Sequence, residues 1–439
     1  MSLASHVRIG NEVIALDEKI RGDLSKRAAD FNCEGYRAIL LATRTLYDHE
    51  IEGLNSYHGL DSQLIVEGLL TFLDPPKDDA KFSIARLQKL GIDCRVLTGD
   101  NLDVAMKVCR SLELVVEIDD EYLQAIKGPD LAKLEGTDEF DRVVKHCKIF
   151  AKLTPIQKGQ VVTSLQKQKE VVGMLGDGIN DCVALRAADV GISVDTAADV
   201  AKDCADVILT QKELTIIADS VVIGRITQGN TIKYIKMVIS SNFGNVFSVL
   251  IASAWLPFNP MTGLQMLVQN VLYDVSQIAI PWDNMDAEDL EAPQRWQIWD
   301  LLRFIIILGL TSSTIDLSTF IINWFYYGVQ SAEDITSVKV FHTHWFLQSL
   351  LTQTIVVHLL RTAKWPVIQS RASKAIYFST TGIMVIGYLL PYIPPIANLL
   401  GFTRPKPSYI GLLGLQVFLY CLEVQVVKLL YIKPFHRWL

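Results

Sequence analysis

Disulfide chemistry has little to build on in this chain: its seven cysteines, Cys33, Cys94, Cys109, Cys147, Cys182, Cys204 and Cys421, are odd in number, scattered, and include no C-x-x-C pair. They read as reduced cytosolic or buried thiols, not as disulfides or zinc ligands. Positive charge is also short. The formal net charge is −7 and no stripe of Lys and Arg with interleaved aromatics occurs, which argues against a nucleic-acid partner. Residues 1–30 are polar and mixed in charge, so they hold no secretory signal. There is no internal repeat and no low-complexity tract. Apolar residues, by contrast, are plentiful. With 50% hydrophobic residues the chain is too apolar for an ordinary soluble protein, and with 20% charged residues it is too charged for one wholly in lipid. Two compartments follow, meeting near residue 230.

The first compartment is long enough to bury a core. Residues 36–42 read as a strand following a helix that contains residues 21–31, in a stretch that looks like the end of a domain. From residue 64 the pattern alternates. Strands are expected at 64–73, 94–97, 149–151, 171–175 and 207–209, with helices at 78–90, from 101, and around 158–167, which implies a parallel sheet covered by helices. Residues 213–236 read as a polar helix running into the membrane as a stalk. Six candidate spans follow, near 237–256, 262–281, 301–326, 343–360, 375–397 and 408–432, each about the 20 residues that cross a hydrocarbon core. Arg361, Lys364, Arg371 and Lys374 lie between the fourth and fifth, and Lys428, Lys433 and Arg437 at the end. The positive-inside rule therefore puts the globular half and the C-terminus in the cytosol, with Arg404 and Lys406 a mild exception on the outer side.

Three motifs sit where an open parallel sheet places its chemistry, at the C-terminal ends of strands. Thr98-Gly99-Asp100 offers a hydroxyl, a close backbone N–H and a carboxylate at a helix start, an anion-friendly geometry. Taken alone it is a turn followed by a helix cap. Lys158 follows Leu153-Thr154-Pro155 and could neutralise a phosphoryl group, although an isolated lysine is by default a solvated helix residue. Gly176-Asp177-Gly178-Ile179-Asn180-Asp181 is different: two glycines, two aspartates and an asparagine are a poor way to end a buried strand unless a ligand compensates. Asp177 and Asp181, with Asn180, could hold Mg2+ so that it bridges phosphate oxygens.

The stretch LGDGINDCVALRAA (175–188), with Leu97-Thr98-Gly99-Asp100 and Thr71-Phe72-Leu73-Asp74-Pro75-Pro76, resembles the phosphorylation domain of P-type ATPases. The resemblance covers essentially the whole chain. It implies an α/β haloacid-dehalogenase-like (Rossmann-like) cytosolic domain plus an α-helical transmembrane bundle of six helices: residues 1–58 the C-terminal part of a nucleotide-binding domain, 59–225 the phosphorylation domain, and 226–439 the stalk and spans. It also implies Mg2+ on Asp177 and Asp181 with Asn180 beside them, Lys158 on the phosphoryl group, Thr98, Gly99 and Asp100 on the phosphate and nucleotide side, and Arg37 of Gly35-Tyr36-Arg37 approaching ATP. The departure is large. No Asp in the sequence is followed by Lys, so the DKTGT nucleophile motif is missing, as is the actuator's TGE loop. What is here resembles the C-terminal half of a pump.

Within the spans, Asn242, Asn245 and Ser248 recur at three-residue spacing, Asn270, Asp274 and Gln277 stand at i, i+4 and i+7, and Asp316 lies mid-span in the third. An ionised carboxylate in hydrocarbon costs several kcal/mol unless paired or solvated. The bland reading is an interhelical hydrogen-bond network, and for Gln353 and Glu423 that reading is preferred. SSNFGNVFSVL (240–250) and QNVLYDVSQIAIPWDNMD (269–286) resemble the bacterial magnesium-transporting branch, which implies a transport site from Asn242, Asn245, Asn270 and Asp274, fourth-helix ligands being absent; Asp316 joins the candidates on its mid-span position. The implied partners are ATP, transported Mg2+, the lipid bilayer of the cytoplasmic membrane, and a missing N-terminal half or a full-length pump. The loop 283–295 could touch the phosphorylation domain or be a solvated linker. Two other readings stand beside this one: a catalytically silent membrane protein that binds Mg2+ or regulates a pump, and a pump for another cation such as Ca2+.

Overall fold

The computed structural model describes residues 3–46, 62–73, 75–114, 124–211, 213–294, 296–435 and 438. Asp74, Arg295 and Arg437, used in the sequence reading, lie outside them. The chain divides into two compact units, residues 1–219 and 220–439.

In the first unit, β1 (Ala4–Ile9) and β2 (Glu12–Ala15) form an antiparallel hairpin, turned at Gly10 in the left-handed region that glycine adopts freely. Helix α1 (Glu18–Cys33) opens on Asp17, whose carboxylate accepts from the Ile20 amide at 2.7 Å. Strands β3 (Tyr36–Thr43) and β4 (Leu64–Leu73) complete a sheet of order β2-β1-β4-β3. The segment expected to open the α/β alternation therefore joins this mixed sheet instead, parallel to β1 and antiparallel to β3. Its Val66 packs with Ala4, Val7 and Leu16 in one buried apolar cluster.

The alternation then runs α2 (Ala80–Lys89), β5 (Val96–Leu97), α3 (Leu102–Ser111), β6 (Ala125–Lys127), α4 (Gly128–Ala132), α5 (Asp138–His146), β7 (Ile149–Ala151), α6 (Pro155–Lys167), β8 (Gly173–Leu175), α7 (Cys182–Ala187), β9 (Val190–Val194), α8 (Asp199–Asp203) and β10 (Val207–Leu209). Its strands pair in parallel, as β5-β7-β6 and β10-β9-β8. Strand β7 is wholly buried along Ile149, Phe150 and Ala151, as a strand covered on both faces must be. Burial also pushes the Cys109 and Cys147 thiols up to about 11, so both stay protonated at neutral pH.

The second unit is helical: α9 (Thr215–Trp255, its first turn in the first unit), α10 (Gly263–Gln277), α11 (Ile298–Ile321, continued by a π turn at Ile322–Tyr326), α12 (Ile335–Leu360), α13 (Lys374–Leu389), α14 (Pro394–Leu400) and α15 (Pro407–Phe435). Four stretches of the described residues are long and apolar enough to cross a membrane: Thr215–Trp255, Ile298–Tyr326, Lys374–Tyr392 and Pro407–Phe435. The sequence reading had six. Helix α10 has only 15 residues. Helix α12 is long enough but polar, burying His342, Thr343, His344, Gln348, Ser349, Thr352, Gln353 and Thr354 against its neighbours.

Helices α9 and α11 cross backbone to backbone. A Cβ on Gly244 would lie 2.9 Å from the Gly309 carbonyl oxygen, and one on Gly309 would lie 2.6 Å from Phe243 and 3.0 Å from the Ser240 oxygen. Small residues at such a crossing allow the close packing that joins helices in lipid.

The segment following α10 is docked, not a solvated linker. The Asp283 carboxylate, 1% exposed, accepts from Arg361 Nε at 2.7 Å, Lys233 Nζ at 3.3 Å and the Ser373 amide at 3.1 Å. Asp286 accepts from the hydroxyls of Thr362 (2.5 Å) and Ser370 (2.7 Å). Two cations counted as loop charges are likewise internal: Arg361 is 2% exposed, and Lys428, fully buried, donates to the carbonyls of Leu359, Thr362 and Lys364 where α12 ends.

Candidate functional site

Pro155 at the first position of α6, with a capping box between Thr154 and Gln157, fixes where that helix starts. Lys158 is then one turn in and 8% exposed, against the solvated default for lysine. Its Nζ lies 2.6 Å from Asp181 Oδ1. The close approach of α6 and α7 that makes this possible depends on Gly159, where a Cβ would come within 2.7 Å of Val183.

The loop after β8 is shaped around Asp181. The Gly178 amide donates to Asp181 Oδ2 at 3.3 Å, and a Cβ on Gly176 would sit 2.5 Å from the Asp181 Cβ, so a side chain there would displace the carboxylate. Ser193 Oγ donates to the Gly176 carbonyl at 2.8 Å and the Ala198 amide to the Asp177 carbonyl at 3.1 Å, tying the loop to β9 and α8. Asp177 and Asn180 are exposed. Hard carboxylate oxygens on a glycine loop beside a lysine suit Mg2+ with phosphate and water completing its shell. No group of three His, Cys, Asp or Glu side chains is gathered among the described residues.

Thr98 follows β5 directly, its amide donating to the Phe150 carbonyl at 2.9 Å and its own carbonyl accepting from the Leu153 amide at 3.0 Å. The Asp100 amide donates to Thr98 Oγ1 (3.1 Å), which in turn donates to Asp100 Oδ2 (3.2 Å). Lys152, with φ at 52°, returns its amide to the Asp100 carbonyl at 2.9 Å, joining this turn to the one that leads into α6. Arg37 Nη1 reaches Asp100 Oδ1 at 3.9 Å, and both side chains are more than half exposed.

In the second unit the nominated polar residues divide. Asn245 is buried and accepts from Gln353 Nε2 at 2.5 Å; Gln353 also donates to Ser349 Oγ, which accepts from Gln269 Nε2 at 2.7 Å. Asp316, 1% exposed, accepts from Ser248 Oγ at 2.7 Å and Trp345 Nε1 at 3.1 Å. Asn242, Asn270 and Asp274 are exposed and turned away from this network. Successive helical residues rotate about 100°, so Asn242 falls at the rim of the face that Asn245 and Ser248 share. On α10 the buried residues are Gln265, Gln269, Tyr273, Ser276 and Gln277, so of the three expected to share a face only Gln277 is inside, and Asp274 lies past the edge. Sequence reasoning treated Gln353 as filler and did not single out Gln269, Gln348, Ser349 or Trp345. For Gln348, Ser349 and Trp345 the one signal was the density of polar residues in α12; Gln269, on α10, had none. Glu423 remains peripheral, accepting from the Thr314 hydroxyl at 2.7 and 2.9 Å.

Two family models match the chain: haloacid dehalogenase-like hydrolase over residues 8–189, and cation transporting ATPase, C-terminus, over residues 258–430. The magnesium-transporting ATPase, P-type 1, of Salmonella typhimurium is 43% identical over 440 residues, covering 100% of this chain and 47% of that protein. Along its whole length the chain is similar to P-type ATPases. The protein of that name in Escherichia coli is 41% identical over 436 residues, 99% of this chain and 47% of its own length. An endoplasmic reticulum calcium ATPase of Aspergillus fumigatus is 31% identical over 256 residues, 57% of this chain and 26% of that protein. The chain thus spans about half the length of the first two P-type relatives.

Proposed function

We propose that this chain is the phosphoryl-transfer and ion-translocating half of a pump that uses ATP to import Mg2+ across the cytoplasmic membrane. The observation that carries the reading is the Gly-Asp-Gly loop holding Asp181 at 2.6 Å from a buried Lys158, in a chain related along its length to magnesium-transporting ATPases. Residues 1–58, with β4 joined to their sheet, complete a nucleotide-binding domain, the remainder of 59–225 forms the phosphorylation domain, and 226–439 are the stalk and six spans, with the globular half and C-terminus cytosolic. Asp177 and Asp181, with Asn180 beside them, would hold the catalytic Mg2+, which neutralises charge on the transferring phosphoryl oxygens when bound. Lys158 sets the position of Asp181 and meets the phosphoryl group. Thr98 and Gly99 present a hydroxyl and an amide to the phosphate, while Arg37 and Asp100 flank the nucleotide.

The phosphorylated aspartate would come from sequence beyond these residues, since no Asp here precedes Lys. Helix α9 is the continuous route from the phosphorylation domain to the spans. Asn245 and Asp316 form the inner wall of the transport site. Asn242, Asn270 and Asp274, exposed here, would complete it against further helices in a protein of the relatives' length.

The test is labelled ATP on native membranes, resolved on an acidic gel and probed with antibody to this chain. Label on the antibody-reactive band, lost in Asp177→Asn, is the expected result. The same absence of a nucleophile supports a second reading, a silent Mg2+-binding partner of a pump. An unlabelled 49.1 kDa band would establish that one instead.

A further inference from the structure

The two aspartates of the glycine loop are placed by different means. Asp181 is held by its side chain, through Lys158 Nζ and the Gly178 amide. Asp177 is exposed, and the backbone on either side of it is gripped. The carbonyl before it, that of Gly176, accepts from Ser193 Oγ at 2.8 Å, and its own carbonyl accepts from the Ala198 amide at 3.1 Å. Both grips come from the short stretch between the end of β9 and the cap of α8. Only the first is made by a side chain, so it is the one that a substitution removes cleanly.

Ser193 stands where β8 leaves the sheet. Leu175 and Ile192 are the last residues that β8 and β9 pair, and the Gly176 amide still donates to the Ile192 carbonyl at 3.1 Å. One residue further along β9, the wholly buried hydroxyl of Ser193 takes the Gly176 carbonyl. In a trans peptide the C=O and N–H lie in one plane and point opposite ways. Holding the Gly176 carbonyl on Ser193 therefore fixes the plane of the peptide that leads into Asp177, and the Ala198 contact fixes the plane of the peptide that leaves it. With both planes set, φ and ψ of Asp177 are set, and so is the direction in which its Cβ leaves the backbone. We propose that Ser193 is a positioning residue for Asp177, its hydroxyl fixing the first of the two peptide planes that aim the carboxylate. Hydrogen bonds behind a metal ligand orient it, and their loss lowers metal affinity by about 10–100-fold. The consequence for Mg2+ rests on the function proposed above, in which Asp177 is a ligand; the grip on the backbone does not.

The experiment titrates Mn2+, which takes the same oxygen ligands as Mg2+, into the whole chain in detergent and reads the free ion by electron paramagnetic resonance. The difference between wild type and Asp177→Asn defines the binding that depends on Asp177. In Ser193→Ala that binding weakens by about tenfold or more, in Ser193→Thr, which keeps the hydroxyl, it stays within about twofold of wild type, and in the Asp177→Asn background Ser193→Ala adds no loss. Ser164→Ala is the control: it removes the hydrogen bond of another buried serine, to Asp141 at 2.5 Å, and costs stability away from the loop. Amide exchange of residues 176–178 in metal-free protein reads the grip itself, and is faster in Ser193→Ala than in wild type but unchanged in Ser164→Ala. Wild-type Mn2+ affinity in Ser193→Ala overturns the positioning role, as does an equal loss in Ser164→Ala or in Ser193→Thr, or a further loss in the double variant. Unchanged exchange in Ser193→Ala overturns the grip. If Asp177→Asn binds Mn2+ as wild type does, Asp177 is no ligand and the metal site of the proposed function fails, while the exchange result still decides the grip.

Discussion

Asp283 is the residue whose loss the second unit should tolerate least. It is the one carboxylate that Lys233 and Arg361 both meet, and all three side chains are 1–2% exposed. Asp283→Ala leaves two desolvated cations without that anion and frees the Ser373 amide. Removing one member of a buried ion pair costs about 3–5 kcal/mol, chiefly because the remaining charge stays buried. At roughly 2–4 °C per kcal/mol for a unit of this size, the expected fall in melting temperature is about 6–20 °C. The assay is thermal unfolding of the chain in detergent, followed by tryptophan fluorescence. Lys233→Met keeps the Arg361 contact and should cost less. Replacing all three by apolar residues of similar volume should recover most of the loss, because well-packed apolar substitutes for buried ions are often neutral. Lys364→Ala, which removes only the exposed pair with Glu288, should cost less than about 1 kcal/mol. If Asp283→Ala melts within about 2 °C of the parent, the cluster is hydrated or rearranges freely, and the reasoning fails.

Further outcomes follow from the same structure. Gly309→Leu should part α9 from α11 and cost about 1–3 kcal/mol by overpacking, while Gly382→Ala, with open space around it, should be silent in the same melt. The pH dependence of the second unit should carry the mark of Asp286. Burial works to raise its pKa, but the Thr362 and Ser370 hydroxyls, with Lys364 and Arg361, hold it below the usual carboxylate range. A group depressed in the folded state stabilises above its unfolded pKa of about 4 and loses that contribution as pH falls below it. Asp286→Asn should therefore flatten the acid limb of stability while leaving neutral pH less stable than wild type. In a complete pump, Asp274→Asn should spare nucleotide binding and abolish Mg2+-dependent turnover; normal transport by that variant would remove Asp274 from the site.

How much of this was legible in the sequence varied with the kind of contact involved. The glycine loop stood out because its residue types are a poor way to end a buried strand, whereas the burial of Lys158 against Asp181 did not, since an isolated lysine reads as solvated. Strand 64–73 was placed in the wrong sheet because a ten-residue apolar strand carries no label for its partner, and β1, only weakly patterned, supplied one. The outward turn of Asn242, Asn270 and Asp274 was not legible either. Period counting says which residues share a helical face, but not which face its neighbours cover.

The polarity of α12 has a consequence for how the protein is made. A hydrophobic segment leaves the translocon for lipid on its own account; one studded with His, Gln, Ser and Thr gains little from that transfer and much from partners that satisfy those groups. In the six-span pump proposed above, its insertion should therefore be cooperative, waiting on α11 before it and α13 after it, so that biogenesis would depend on synthesis of a helical hairpin rather than of one helix at a time.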